Sequence, residues 1–125
     1  LYSVNARSTA LVPGLYARNE RLVCQFNSRA GRFAMVLVGA MNVASISTAW
    51  SGEIVPTADR RIQRHTYPDD SGPLLARGAY MGHFNMGSTV VILGPQSVAD
   101  WSTNLRVGSA IQVGTAMAQM VKAGG

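Results

Sequence analysis

An all-β, predominantly antiparallel fold of short strands is what this sequence predicts, on three observations. Apolar runs are short and separated by turn residues along the whole chain. Several of them alternate apolar with polar positions, the period of a half-buried strand. Long amphipathic helices are missing from the pattern, leaving only a weak stretch from Thr115 to Lys122 and a short helical turn over Gln96 to Trp101 as helical candidates.

Taken in order, Pro13-Gly14 opens a turn and Arg21 to Phe26 reads as a strand. Asn27-Ser28-Arg29-Ala30-Gly31 closes a hairpin onto a second strand, Phe33 to Val38. From Phe33 to Trp50 the chain runs 18 residues without a charge, about the length that suggests a membrane span. Gly39, Asn42, Ser45, Ser47 and Thr48 break up that run, and Val43, Ser45 and Ser47 alternate with Ala44, Ile46 and Thr48. Two paired buried strands joined near Gly39-Ala40 are therefore expected, the second reaching from about Val43 to Trp50. Strands around Ile54 and from Ile62 to Tyr67 follow. The segment Pro68-Asp69-Asp70-Ser71-Gly72-Pro73 is then an exposed turn, because its prolines exclude regular pairing. Near the end, Gly108 and Gly114 lie six residues apart with apolar residues three before and three after. Short strands turning at each glycine, in a small and tight barrel or sandwich, explain that spacing.

Composition narrows the class. With 125 residues, 47% of them apolar and 14% charged, the chain suits one folded domain at most. It opens on Leu1-Tyr2-Ser3-Val4, without an initiator Met or a signal-peptide layout, and is expected to be a piece of a longer protein or a processed product. Eleven Lys and Arg against 6 Asp and Glu give a net charge of +5, which favours anionic partners such as acidic phospholipid headgroups. The arginines are dispersed and no basic run or nucleic-acid-binding motif is present, so nucleic acid is not an expected partner. The single cysteine, Cys24, excludes an internal disulfide, leaves no metal-ligand spacing, and sits among apolar residues as a small buried side chain. No metal is expected, and a reducing compartment is.

The informative stretch is Gly82-His83-Phe84-Asn85-Met86-Gly87-Ser88-Thr89-Val90-Val91-Ile92-Leu93. It reads as one β-strand interrupted by Gly-Ser-Thr. In a regular strand Phe84, Met86, Ser88 and Val90 would share one face, with His83 on the other and unsuited to activate Ser88. Gly87-Ser88 has the ingredients of backbone self-cleavage. A Ser88 hydroxyl can attack a strained Gly87 carbonyl to give an ester, which β-elimination then ejects. By itself the tripeptide is a common turn.

Its surroundings are not common. Gly78 to Val91 closely resembles the maturation site of phosphatidylserine decarboxylase proenzymes, where Gly82, Phe84, Gly87, Ser88 and Thr89 fill a Gly-x-Phe-x-x-Gly-Ser-Thr pattern. Leu1 to Asn5, Tyr16 to Arg21, Val38 to Ala40 and Trp50 to Ile54 resemble further blocks of that family in order. The position before Met81, commonly Glu in the family, is Tyr80, and Met86 stands where Leu is usual. The resemblance implies a barrel-sandwich hybrid-like fold, similar to lipoyl-type domains, with tight glycine turns. It implies cleavage between Gly87 and Ser88, so that residues 1–87 end the β chain and 88–125 form the α chain. Ser88 becomes a covalent pyruvoyl group that takes up the substrate amine as a Schiff base and acts as electron sink for decarboxylation of phosphatidylserine to phosphatidylethanolamine. Ser3 and Val4 line the pocket by the same likeness. The family's self-cleavage base, a His oriented by an Asp, and the His that assists decarboxylation lie upstream of Leu1; His65 and His83 match neither. The expected setting is peripheral, on the cytoplasmic face of the cell membrane, with an anionic surface, the upstream part of the proenzyme and a homodimer as partners. The alternatives are a pyruvoyl enzyme acting on a soluble amino acid, which the Tyr16 and Trp50 blocks disfavour, and a non-catalytic barrel-sandwich module. A carrier of that kind needs a lysine on a tight turn, and the only lysine is Lys122.

Overall fold

The computed structural model describes residues 4–29, 31–40, 45–55, 61–68, 71–86, 89–94 and 99–120. Two short helices open the described chain. Helix α1, Ala6–Leu11, starts where the Asn5 side chain accepts a hydrogen bond from the Ser8 amide at 2.9 Å, satisfying one of the open N–H groups of the first turn. It ends at Val12, which is extended because Pro13 follows. Helix α2, Leu15–Arg18, buries Leu15. Arg21 donates to the carbonyls of Ala17 at 2.8 Å and Asn19 at 3.0 Å, closing the C-terminal end of α2.

Strand β1, Arg21–Ser28, turns Leu22, Cys24 and Phe26 inward and Arg21, Val23 and Gln25 outward, the alternation a pleat requires. Strand β2, Gly31–Val38, is apolar almost throughout and becomes buried at Leu37 and Val38. It takes the middle place in a sheet of order β1-β2-β6, where β6 is Thr89–Leu93. Two residues separate β1 from β2, too few for a parallel crossover. Stacking of Phe26 on Phe33, with ring centroids 4.9 Å apart, ties this hairpin across its strands.

A second three-stranded sheet has β3, Ile46–Thr48, at its centre. Its neighbours β4, Gly52–Ile54, and β5, Gly82–Phe84, are both antiparallel to it. The Thr48 hydroxyl accepts from the Ser51 amide at 3.1 Å and fixes the turn into β4. A third sheet pairs β7, Ala99–Trp101, with β8, Ala118–Met120, antiparallel. By internal packing the chain divides into two compact units, Leu1–Leu22 with Leu37–Val90, and Val23–Val36 with Val91–Gly125. The fold is all-β and antiparallel, with few short helices, as predicted; among the described residues the sheets are open and none closes into a barrel.

Several local expectations are corrected. The uncharged run from Phe33 to Trp50 holds strands, but β2 and β3 are not partners: each has both edges occupied, by β1 and β6 and by β4 and β5. Among the described residues no helix is long and apolar enough to cross a membrane. Residues 61–68 form no strand, and Ile62 is 96% exposed. Arginines and other polar residues around it leave no continuous apolar face to bury, and an extended segment without a ladder partner is not a strand. Downstream, the amides of Ser71 and Gly72 both donate to the Pro68 carbonyl at 3.0 Å, giving the expected turn, though Asp69 and Asp70 lie outside the described residues.

The glycine period makes turns and not strands. Gly108 and Gly114 have φ of 86° and 87°, a left-handed conformation glycine adopts without strain. Hydrogen bonds from Ser109 to Arg106 and from Thr115 to Gln112 close four-residue turns there, and only Ala110 and Ile111 remain between them. That is too short for a ladder. The helical candidates also fail where they are described, because Ala99–Trp101 and Ala118–Met120 pair as strands. Residues 96–98 and 121–122 lie outside the described residues. Trp101 is 51% exposed.

Cys24 is buried, and burial pushes its thiol pKa up, leaving it protonated and unreactive near neutral pH. The folded protein is expected to react with an aromatic disulfide reagent at least about tenfold more slowly than the urea-unfolded chain. A stopped-flow absorbance trace checks this, and equal rates would contradict the burial.

Candidate functional site

The interrupted stretch is where the chain passes from one sheet to another. Gly82–Phe84 pairs with β3, Thr89–Leu93 pairs with β2, and residues 85–88 connect them. Asn85 and Met86 are bends, so the alternation of faces expected from Phe84 through Val90 does not carry across. Gly87, Ser88 and Ser3 lie outside the described residues; Val4 is described and half-buried.

Gly82 is fixed by its neighbour. In register it faces Thr48, and a Cβ at this position would overlap the Ser47 carbonyl oxygen and come within 3.2 Å of the Thr48 Cα. The first glycine of the Gly-x-Phe-x-x-Gly-Ser-Thr pattern is therefore a close-approach glycine. The Met81 carbonyl accepts from the Ala49 amide at 2.8 Å and extends the same contact.

From β5 a chain of side-chain hydrogen bonds runs towards β4. The Tyr80 hydroxyl meets His83 Nδ1, and His83 Nε2 lies 3.1 Å from Asn85 Oδ1. Asn85 Nδ2 donates to the Ser45 hydroxyl and, at 3.1 Å, to Glu53 Oε1. The Ser45 hydroxyl in turn donates to the same Glu53 oxygen. The backbone adds a bond from the Asn85 amide to the Ser45 carbonyl at 3.3 Å. Tyr80, His83, Asn85 and Glu53 are exposed, while Ser45 is only 4% exposed and roots the group in the interior.

Donor and acceptor capacities fix the direction of this chain. A carboxylate only accepts, so the amide nitrogen of Asn85 faces Glu53 and its oxygen faces His83. His83 Nε2 then donates to that oxygen, and its Nδ1 pairs with the Tyr80 hydroxyl. The sequence pattern sets His83 on the face away from Ser88, which suits a solvated side chain. It is exposed, as that reading has it, but hydrogen-bonded on both nitrogens. Asn85, Ser45 and Glu53 were missed. The available signals were the shared face of positions 83 and 85 and the substitution at Tyr80.

Fold and site together define an all-β chain whose Gly-Ser-Thr pattern follows β5 of one sheet and runs into β6 of another. Comparison with known proteins places that description in a family. The family model described as phosphatidylserine decarboxylase matches residues 1–119. A relative from Methylococcus capsulatus, named phosphatidylserine decarboxylase proenzyme, is 43% identical over 117 residues, 94% of this chain and 40% of its own length. Relatives of the same name from Alkalilimnicola ehrlichii and Pseudomonas putida are 53% identical over 93 residues and 44% identical over 126. These alignments cover 74% and 98% of this chain, and 32% and 43% of the relatives. This chain belongs to the phosphatidylserine decarboxylase family, and it spans less than half the length of these relatives. No solved structure matches it significantly.

Gly82→Ala is expected to destabilise the protein by about 1–3 kcal/mol, since the methyl must push β5 off β3. A lower urea midpoint at unchanged slope is the expected signature, and an unchanged midpoint would refute the close approach.

Proposed function

We propose that this chain is the C-terminal catalytic portion of a pyruvoyl-dependent phosphatidylserine decarboxylase proenzyme, which cleaves itself between Gly87 and Ser88 and then makes phosphatidylethanolamine. The single observation that carries the reading is the Gly82-to-Thr89 pattern, within a family match over residues 1–119. Support comes from the chain around the pattern, which bends at Asn85 and Met86 after β5 and is paired again from Thr89 as β6.

The residues present fit a pyruvoyl group. Its carbon skeleton is that of Ser88, and the residue bearing the attacked carbonyl, Gly87, has no Cβ to obstruct approach. In the self-cleavage step the Ser88 Oγ adds to the Gly87 carbonyl carbon, the Gly87–Ser88 C–N bond breaks, and an ester links the two residues while the amine takes up the hydroxyl proton. A base removes the Ser88 α-proton, the ester C–O bond breaks, and Gly87 leaves as a carboxylate. Water then hydrolyses the dehydroalanine, releasing ammonia and leaving the ketone at the new amino terminus. That base comes from the upstream part of the proenzyme, a His oriented by an Asp by family resemblance, and a further His there assists decarboxylation. The pyruvoyl group supplies a carbonyl conjugated to an amide, an electron sink for the pair left when a carboxylate departs as carbon dioxide.

Ser3 and Val4 are proposed to line the substrate pocket. The net charge of +5 favours an anionic bilayer surface, which supports a peripheral position on the cytoplasmic face of the cell membrane. In the full-length protein, wild type is expected to run as two pieces on a denaturing gel, and Ser88→Ala as one uncleaved chain that releases no carbon dioxide from phosphatidylserine. Borohydride in the presence of substrate is expected to trap an adduct on residue 88. Normal cleavage of Ser88→Ala overturns the chemistry, and release from free serine instead of the lipid assigns the enzyme to a soluble amino acid.

A further inference from the structure

We infer that Asn85 is a positioning residue for self-cleavage, gripping the upstream arm of the Gly87–Ser88 bond through an amide–carboxylate pair with Glu53. The inference rests on the self-cleavage reading above and adds residues that the pattern around Ser88 does not contain.

Phe84 is the last residue before the bond that the β3 ladder holds. Beyond it the connector bends, and Met86 is exposed. Asn85, two residues before Gly87, is where the chain is tied down again. Its main-chain N–H reaches the Ser45 carbonyl at 3.3 Å. Its side-chain amide nitrogen donates to the Ser45 hydroxyl and, at 3.1 Å, to Glu53 Oε1. Its oxygen is occupied by His83 Nε2 at 3.1 Å, and His83 is in turn held by the Tyr80 hydroxyl. Rotating the amide by half a turn would set Oδ1 against the carboxylate, so the residue has one satisfied orientation.

Such a grip matters more for geometry than for stability. The members are mostly exposed, where individual hydrogen bonds and charges contribute little to folding. Attack of a side chain on the preceding carbonyl, in contrast, depends on a near-attack arrangement, and a displacement of about 1 Å can cost about 100-fold in rate. A neutral amide opposite a carboxylate, rooted on the buried Ser45, supplies a fixed point within two residues of the reacting carbonyl.

The pairing can be tested by exchanging its two partners in the full-length proenzyme. Asn85→Asp removes both donors and sets two carboxylates face to face; conversion of precursor to two chains, followed on denaturing gels after synthesis, is expected to slow by about tenfold or more. Adding Glu53→Gln to Asn85→Asp restores one amide opposite one carboxylate in the reverse sense, and is expected to recover most of the wild-type rate. Melting temperatures of these chains in a Ser88→Ala background, where none is cleaved, are expected to agree within about 4 °C. Asn85→Asp converting at the wild-type rate, a double variant no faster than the single one, or a loss of rate matched by a larger drop in melting temperature overturns the inference. A wild-type proenzyme that stays uncleaved, or a Ser88→Ala chain that is cut, overturns the self-cleavage reading itself.

Discussion

The pairing of β3 with β5 fixes the described residues that lead up to the Gly-Ser-Thr pattern. The central strand β3 is three residues long and carries a neighbour on each edge, so little slack exists in its register. At Gly82 the two backbones come so close that no side chain fits between them. This contact fixes where β5 begins and holds its register against β3. Five residues after β5 ends at Phe84, the chain has joined a different sheet as β6. The glycine at the head of the pattern thus locks the strand from which the rest of the pattern departs.

The hydrogen-bonded side chains beside that segment follow from the same register. Ser47 faces Glu53 on one side of β3 and His83 on the other, and Ser45 lies just outside the strand, next to both neighbours. Ser45 is therefore the place where β4 and the end of β5 can meet through side chains. Its burial removes water as a competitor for the hydroxyl, while Glu53 and Asn85 keep one side in solvent, so no uncompensated charge is buried. From His83 to Glu53 the polarity runs one way, because the carboxylate has no proton to give.

How much of this was legible in the sequence differs by element. The hairpin of β1 and β2 was, because alternation at Leu22, Cys24 and Phe26 and a continuous apolar run from Phe33 to Val38 are local properties. The family blocks were too, and they prove to be spatial neighbours: the Gly39 amide donates to the Glu20 carbonyl at 2.8 Å, joining two of them. What failed was partnership. Nothing in Phe33 to Trp50 reveals that consecutive strands go to separate sheets, since strand edges are claimed by residues more than forty positions away, such as Thr89–Leu93. The glycine period near Gly108 was read correctly as turns and wrongly as strands, because four-residue turns six residues apart consume the chain between them. Helix α1 had a visible signal, Asn5 three residues before Ser8, that was passed over for the β pattern around it.

A cut at Gly87–Ser88 has a consequence that bears on why such a bond would sit there. β5 is held by β3, and β6 is held by β2, so neither strand relies on the connector for its ladder. Breaking the main chain inside a strand would expose unpaired amides and carbonyls and weaken the pairing on both sides. A cut between Gly87 and Ser88, as proposed, would leave Gly82–Phe84 paired with β3 on one side and Thr89–Leu93 paired with β2 on the other. On the upstream side, Asn85 is held by Ser45 and Glu53. The ladders on either side of the pattern thus have partners of their own, β3 for β5 and β2 for β6, and a cut as proposed would break neither.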